Sequence, residues 1–101
     1  MVKKRLSGRM RRRLRAKGVL LEPVVRVGKD GLTSGLIQEV DRQLEDKGLI
    51  KVRFEKSAVR KWDRKELAER LAELVDAELV DVRGRTAVLF RPREGWSRFR
   101  G

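Results

Sequence analysis

The chain has 101 residues, with 27 Lys/Arg against 15 Asp/Glu and a formal net charge of +12. That length allows one domain with one core, and that charge favours a polyanionic partner, nucleic acid ahead of a membrane surface. The absence of His and Cys excludes imidazole bases, thiol nucleophiles, disulfides and thiolate zinc sites. No apolar run approaches the roughly 20 residues of a spanning helix, and the N-terminus lacks a signal peptide's apolar core, so a soluble, cytoplasmic protein is expected.

The charge is uneven. The first 17 residues hold nine Lys/Arg and no acid, leaving 18 basic against 15 acidic residues in the remainder. Within residues 5–17, Leu6, Met10 and Leu14 fall four apart, which predicts an arginine-coated helix with a narrow apolar stripe, ended by Gly18. The alternative is a disordered basic arm, because nine like charges repel one another.

Pro23–Val27 reads as a β-branched strand that enters the glycine-bracketed turn Gly28-Lys29-Asp30-Gly31, and a helix begins near Thr33. Such a turn brings backbone close to another molecule, the helix start directs free amides toward it, and Lys29 adds a mobile charge. GxxG loops of KH domains clamp the sugar-phosphate backbone of single strands in this way, although a glycine turn between strand and helix is also ordinary punctuation.

Leu36, Ile37, Val40 and Leu44 share one face of a helix over about 33–47, stopped by Gly48. In the strand Leu49–Phe54, Ile50, Val52 and Phe54 alternate with Lys51 and Arg53, so one face is buried and the other is available to a partner. Residues 55–62 read as a charged linker. Asp63 and Glu66 form a capping pattern ahead of a helix whose core stripe is Leu67, Leu71, Leu74 and Val75. On its other face, Lys65 with Glu69 and Glu66 with Arg70 are solvated pairs. Leu79, Val80 and Val82 give a third strand, Gly84-Arg85 a turn, and Thr86–Phe90 a fourth strand before Pro92.

A second basic cluster closes the chain, with Arg83, Arg85, Arg91, Arg93, Arg98 and Arg100 against Glu94. Residues 93–101 interleave arginines with Trp96 and Phe99, which suits either stacking on exposed bases or a frayed tail. The expected fold is a compact single α/β domain of α-β-α-β-α-β-β order over residues 1–92, with a four-stranded mixed sheet packed by helices and a tail from 93 to 101.

Two strings together resemble the CRM domain, the YhbY-like RNA-binding family. They are Pro23-Val24-Val25-x-Val27-Gly28-Lys29-x-Gly31-Leu32-Thr33 and Ala77-Glu78-Leu79-Val80-x-Val82-x-Gly84-Arg85-Thr86-Ala87-Val88-Leu89-Phe90-Arg91-Pro92. Leu49-Ile50-Lys51-Val52 and the leucine-rich helix fit between them, so the resemblance spans about residues 6–92. It implies a fold similar to the C-terminal domain of translation initiation factor three, with RNA contacted by a GxxG-like loop joined to a basic face. It also implies a place in the ribosome-linked branch, whose bacterial members associate with large-subunit precursors, while plant members promote group II intron splicing. The family loop carries over onto Gly28, Lys29, Asp30 and Gly31. Asp30 departs from comfort there, because a carboxylate repels phosphate unless it points outward or caps the next helix, and the first helix is richer in arginine than the family pattern.

The function expected is therefore a non-catalytic, monomeric RNA-binding protein of ribosome assembly, without a cofactor or metal. Gly28, Lys29, Asp30 and Gly31 would hold backbone, and Arg9, Arg11, Arg12, Arg13, Arg15 and Arg85 would neutralise phosphate. A DNA-binding or chromosome-coating protein is the alternative, with the arginine helix as its groove reader. A metal-dependent nuclease would need clustered carboxylates, but Asp41, Glu45 and Asp46 are interrupted by Arg42 and sit on a helix as solvated charges.

Overall fold

The computed structural model describes residues 6–92. Ser7 opens α1 (Gly8–Val19) by accepting the Met10 N–H on its hydroxyl at 3.1 Å. Leu14 is buried and Leu6 and Met10 pack beside it, so the basic segment is a docked helix. That helix does not stop at Gly18. Gly18 is the next member of the four-residue stripe, buried against β4, and a Cβ there would lie 2.8 Å from Val88 Cγ2. The glycine serves close approach of helix to sheet, and α1 runs on to a cap at Leu20.

β1 (Pro23–Val27) and β2 (Leu49–Phe54) pair in parallel and are joined by α2 (Ser34–Lys47), which Gly48 ends at φ 81°. β3 (Glu78–Arg83) and β4 (Thr86–Phe90) form a hairpin that turns at Gly84, φ 56°. The sheet order is β1-β2-β4-β3, and β4 is antiparallel to both neighbours. β1, β2 and β3 thus point the same way, although β4 separates β3 from β2.

This is the expected mixed α/β sheet with one addition. Residues 55–62 are not simply a linker, because Lys56–Val59 form a one-turn helix, α3, seated by the fully buried Ala58. One buried alanine in a charged run carries no period, so the turn is invisible to pattern reading. In α4 (Arg64–Leu74), Asp63 Oδ2 accepts the Glu66 N–H at 3.0 Å, the expected cap. Its buried arc is Leu67, Ala68, Leu71 and Ala72, followed by Val75. Leu74, expected in the core, lies at the margin of that arc and is 47% exposed.

The helices divide between the two faces of the sheet. α2, α3 and α4 bury the main core, in which Val27, Val40, Leu44, Ile50, Val52, Phe54, Leu71 and Leu89 are essentially inaccessible. Each is worth about 1.5–3 kcal/mol relative to leaving it in water. α1 covers the opposite face over a smaller cluster of Leu14, Val80, Val88 and Phe90. Where β2 begins and β4 ends, Arg91 donates to Asp41 Oδ1 and to the Val75 carbonyl, both at 2.7 Å, and to the Asp41 carbonyl at 3.1 Å. Arg91 therefore clamps α2 to the end of α4 and leaves the basic cluster in which the sequence placed it. The tail carrying Trp96 and Phe99 lies outside the described residues.

Candidate nucleic-acid interface

β1 delivers the chain into Gly28-Lys29-Asp30-Gly31, a turn closed by the Gly31 N–H donating to the Gly28 carbonyl at 3.0 Å. Only Gly31 requires left-handed backbone, at φ 72°. Gly28 has no other group within 4 Å of where a Cβ would sit, so its backbone is open to approach from outside. The Thr33 N–H donates back to the Gly31 carbonyl at 3.1 Å, and Thr33 Oγ1 accepts the Leu36 N–H at 3.2 Å to cap α2. Asp30 is therefore not the cap. It is exposed beside Lys29.

Behind the turn stands Trp62, contributed by the segment read as a linker. A Cβ on Gly31 would lie 2.9, 3.1 and 3.4 Å from Trp62 Cη2, Cζ3 and Cζ2. Three consecutive ring atoms at similar distances mean that Gly31 rests on the face of the indole, because an edge-on approach would leave the flanking carbons markedly farther away. Lys61 Nζ donates to the Lys29 carbonyl at 3.2 Å and lies 5.5 Å from the indole centroid. The turn is thus braced from below by an aromatic ring and an ammonium.

The β3–β4 turn arrives at the same end of the sheet. The Phe54 N–H donates to the Arg85 carbonyl at 2.7 Å, and the next amide, Glu55 N–H, donates to the Val27 carbonyl at 2.8 Å. Arg85 and the Gly28–Gly31 turn consequently flank the end of β2.

The α1 arginines divide by their position around the helix. Arg9, Arg12 and Arg13 are exposed. Arg11 and Arg15 each follow a stripe residue and turn inward. Arg11 Nη1 donates to the Leu79 carbonyl at 2.6 Å and Nη2 lies 3.9 Å from Glu78, while Arg15 has its Nε shielded from solvent. Of the five α1 arginines expected to neutralise phosphate, Arg11 is therefore engaged by the fold and Arg15 is partly buried in it.

Three other cations line the same face of the sheet. Lys51 pairs with Val88, whose side chain faces α1, so Lys51, Arg53 and Arg26 share that face of the sheet. Lys51 Nζ reaches the carbonyl of Val19 at the end of α1, at 3.5 Å. Arg53 lies directly across from Arg26, which is two residues before Gly28. A cationic strip thus runs from α1 through Lys51, Arg53 and Arg26 into the turn. Alternation in Leu49–Phe54 had exposed Lys51 and Arg53 to view. Arg26, Lys61 and Trp62 join the site only through strand register and the α3 turn. Among the described residues no group of three or more His, Cys, Asp or Glu is placed to hold a metal, and Asp41 spends its carboxylate on Arg91. No helix among them is long and apolar enough to cross a membrane.

The profile of the CRS1 / YhbY (CRM) domain matches residues 6–91, nearly the whole described chain. The chain belongs to the CRS1 / YhbY (CRM) domain family. Among its relatives in the family, "Probable RNA-binding protein MJ0652" of Methanocaldococcus jannaschii is 54% identical over 97 residues, covering 96% of this chain and 72% of that protein. "Probable RNA-binding protein YqeI" of Bacillus subtilis is 34% identical over 86 residues, covering 85% and 88%. The solution structure of the hypothetical protein SAV1595 from Staphylococcus aureus superposes with a TM-score of 0.74 at 36% identity, over 86% of this chain and 88% of that one. The CRM fold is thus shared in solved form as well as in sequence.

Proposed function

We propose that this protein is a non-catalytic RNA-binding protein that grips the sugar-phosphate backbone at Gly28, Lys29, Asp30 and Gly31 and seats the flanking phosphates on Arg85, Lys51, Arg53, Arg26 and the exposed α1 arginines. Its target in this reading is structured ribosomal RNA in a large-subunit precursor, bound by the monomer in the cytoplasm during assembly. Membership of the CRM family and the RNA-binding names of its relatives support the ligand class.

The observation that carries the reading is Arg26 set directly opposite Arg53. Like charges facing each other across a strand pair destabilise a sheet, and Glu55 offsets this one only from 3.6 Å on an exposed surface. A fold gains nothing from that pair unless a polyanion lies over it. Phosphate contacts place RNA without reading its bases, so discrimination follows RNA shape more than sequence.

The test is equilibrium binding of a structured ribosomal RNA fragment and of an equal-length DNA duplex at one salt concentration, with wild type and Arg53→Glu. RNA should bind more tightly than DNA. Arg53→Glu should weaken RNA binding while leaving thermal stability unchanged or raised by up to about 1 kcal/mol, since it relieves the like-charge pair. Equal binding of RNA and DNA, unaffected by Arg53→Glu, would support the DNA-coating alternative.

A further inference from the structure

Trp62 is not accounted for by a backbone grip. It is 39% exposed, the aromatic member of a short set of exposed large apolar side chains that also contains Val19, Leu20 and Leu74. One face of its ring is covered by Gly31, and Lys61 fastens the same segment to the Lys29 carbonyl. The indole is therefore held in a fixed orientation beside the turn while part of its surface stays open to water.

We infer that Trp62 is a stacking platform for one unpaired nucleobase of the strand whose backbone lies on the Gly28–Gly31 turn. The inference rests on the proposed backbone grip. A base departs from its own sugar-phosphate, so a platform immediately beside a phosphate-holding turn is where a splayed base can land. The surroundings favour a nucleotide over a protein anchor. Lys61 Nζ lies 5.5 Å from the ring centroid and Lys29 belongs to the adjoining turn, and an aromatic surface beside cations suits a planar base carried on a polyanion. Bracing by Gly31 and Lys61 spares the complex the entropy of ordering the side chain on binding. Stacking of this kind accepts any base, so it adds affinity for unpaired RNA with little sequence preference.

The test uses the full chain carrying Trp96→Phe, so that emission reports Trp62 alone. It is titrated with a ten-nucleotide oligoadenylate and with the same phosphoribose oligomer lacking its bases. Oligoadenylate should quench Trp62 emission, and the abasic oligomer should bind without quenching. Trp62→Leu should weaken oligoadenylate binding by about ten-fold, within the range for loss of one stacked base, and leave the abasic oligomer unaffected. Trp62→Phe should recover most of the loss, and melting curves establish that both variants are folded.

Binding of oligoadenylate without quenching would overturn the inference. So would an equal loss for both oligomers in a folded Trp62→Leu protein, which would make Trp62 a brace for the turn. Failure to bind oligoadenylate at all would also overturn it. The backbone grip fails separately, if Gly28→Asp leaves binding of the abasic oligomer unchanged.

Discussion

At the residue scale the two loop glycines have different duties. Gly31 is held at φ 72° against the Trp62 ring, so Gly31→Ala should cost about 1–3 kcal/mol in thermal unfolding, from left-handed backbone and from overlap with the indole. Gly28→Ala has open space and ordinary backbone, and its melting temperature should stay close to wild type. The sequence shows two glycines three apart and cannot rank them, because the difference lies in a ring from 31 residues away along the chain. Asp76 is the reverse case, a non-glycine at φ 54°. The Ala77 N–H donates to the Ala72 carbonyl at 2.8 Å around it, the helix-ending pattern that favours glycine. Asp76→Gly should therefore raise stability by about 1 kcal/mol, read as a higher melting temperature.

At the element scale, α1 depends on a contact that its apolar spacing only half disclosed. Leu6, Met10 and Leu14 announced a docking stripe, but glycine's lack of a side chain made Gly18 look like a stop. Gly18→Val would push against Val88 and should cost about 1–3 kcal/mol while loosening α1 from the sheet, visible as faster amide exchange along Met10–Val19. Capping at Asp63, the helix start near Thr33 and the breaks at Gly48 and Gly84 were legible, because each follows from local chemistry. The short α3 and the duty of Arg91 were not, because both are set by contacts across the fold. Arg91→Met should remove its bonds to Asp41 and Val75 at a cost of about 1.5–3 kcal/mol and leave RNA affinity unchanged, since it lies at the end of β2 opposite the turn.

At the scale of the whole molecule, the fold gathers one cationic surface from segments distant in sequence: α1, alternate residues of β1 and β2, the Gly28–Gly31 turn and the hairpin turn at Arg85. The expected site held the turn, Arg85 and the α1 arginines; the proposed one adds Arg26, which the sequence could not show because the register that sets it against Arg53 is a tertiary fact. A chain without His or Cys has no side-chain type that ordinarily titrates between about pH 5 and 8, so RNA affinity should be flat across that window and governed by salt. Acid acts on stability at Glu39. The Gln43 amide, and then Arg42, hold its carboxyl below the ordinary 4.5. Its small contribution is present above the unfolded value and lost as pH falls through the lower folded one.

The most direct test of the account is anisotropy binding of a labelled structured ribosomal RNA fragment across a salt series, with wild type and the double variant Gly28→Asp, Lys29→Ala. These changes alter the charge of the turn where no neighbour is displaced, so a melting curve should match wild type. The account predicts a steep linear fall of log affinity with log salt, weaker binding by the variant, and a slope shallower by about 1 for the lost phosphate contact. Coincident lines for variant and wild type would place RNA away from the turn and contradict a clamp there.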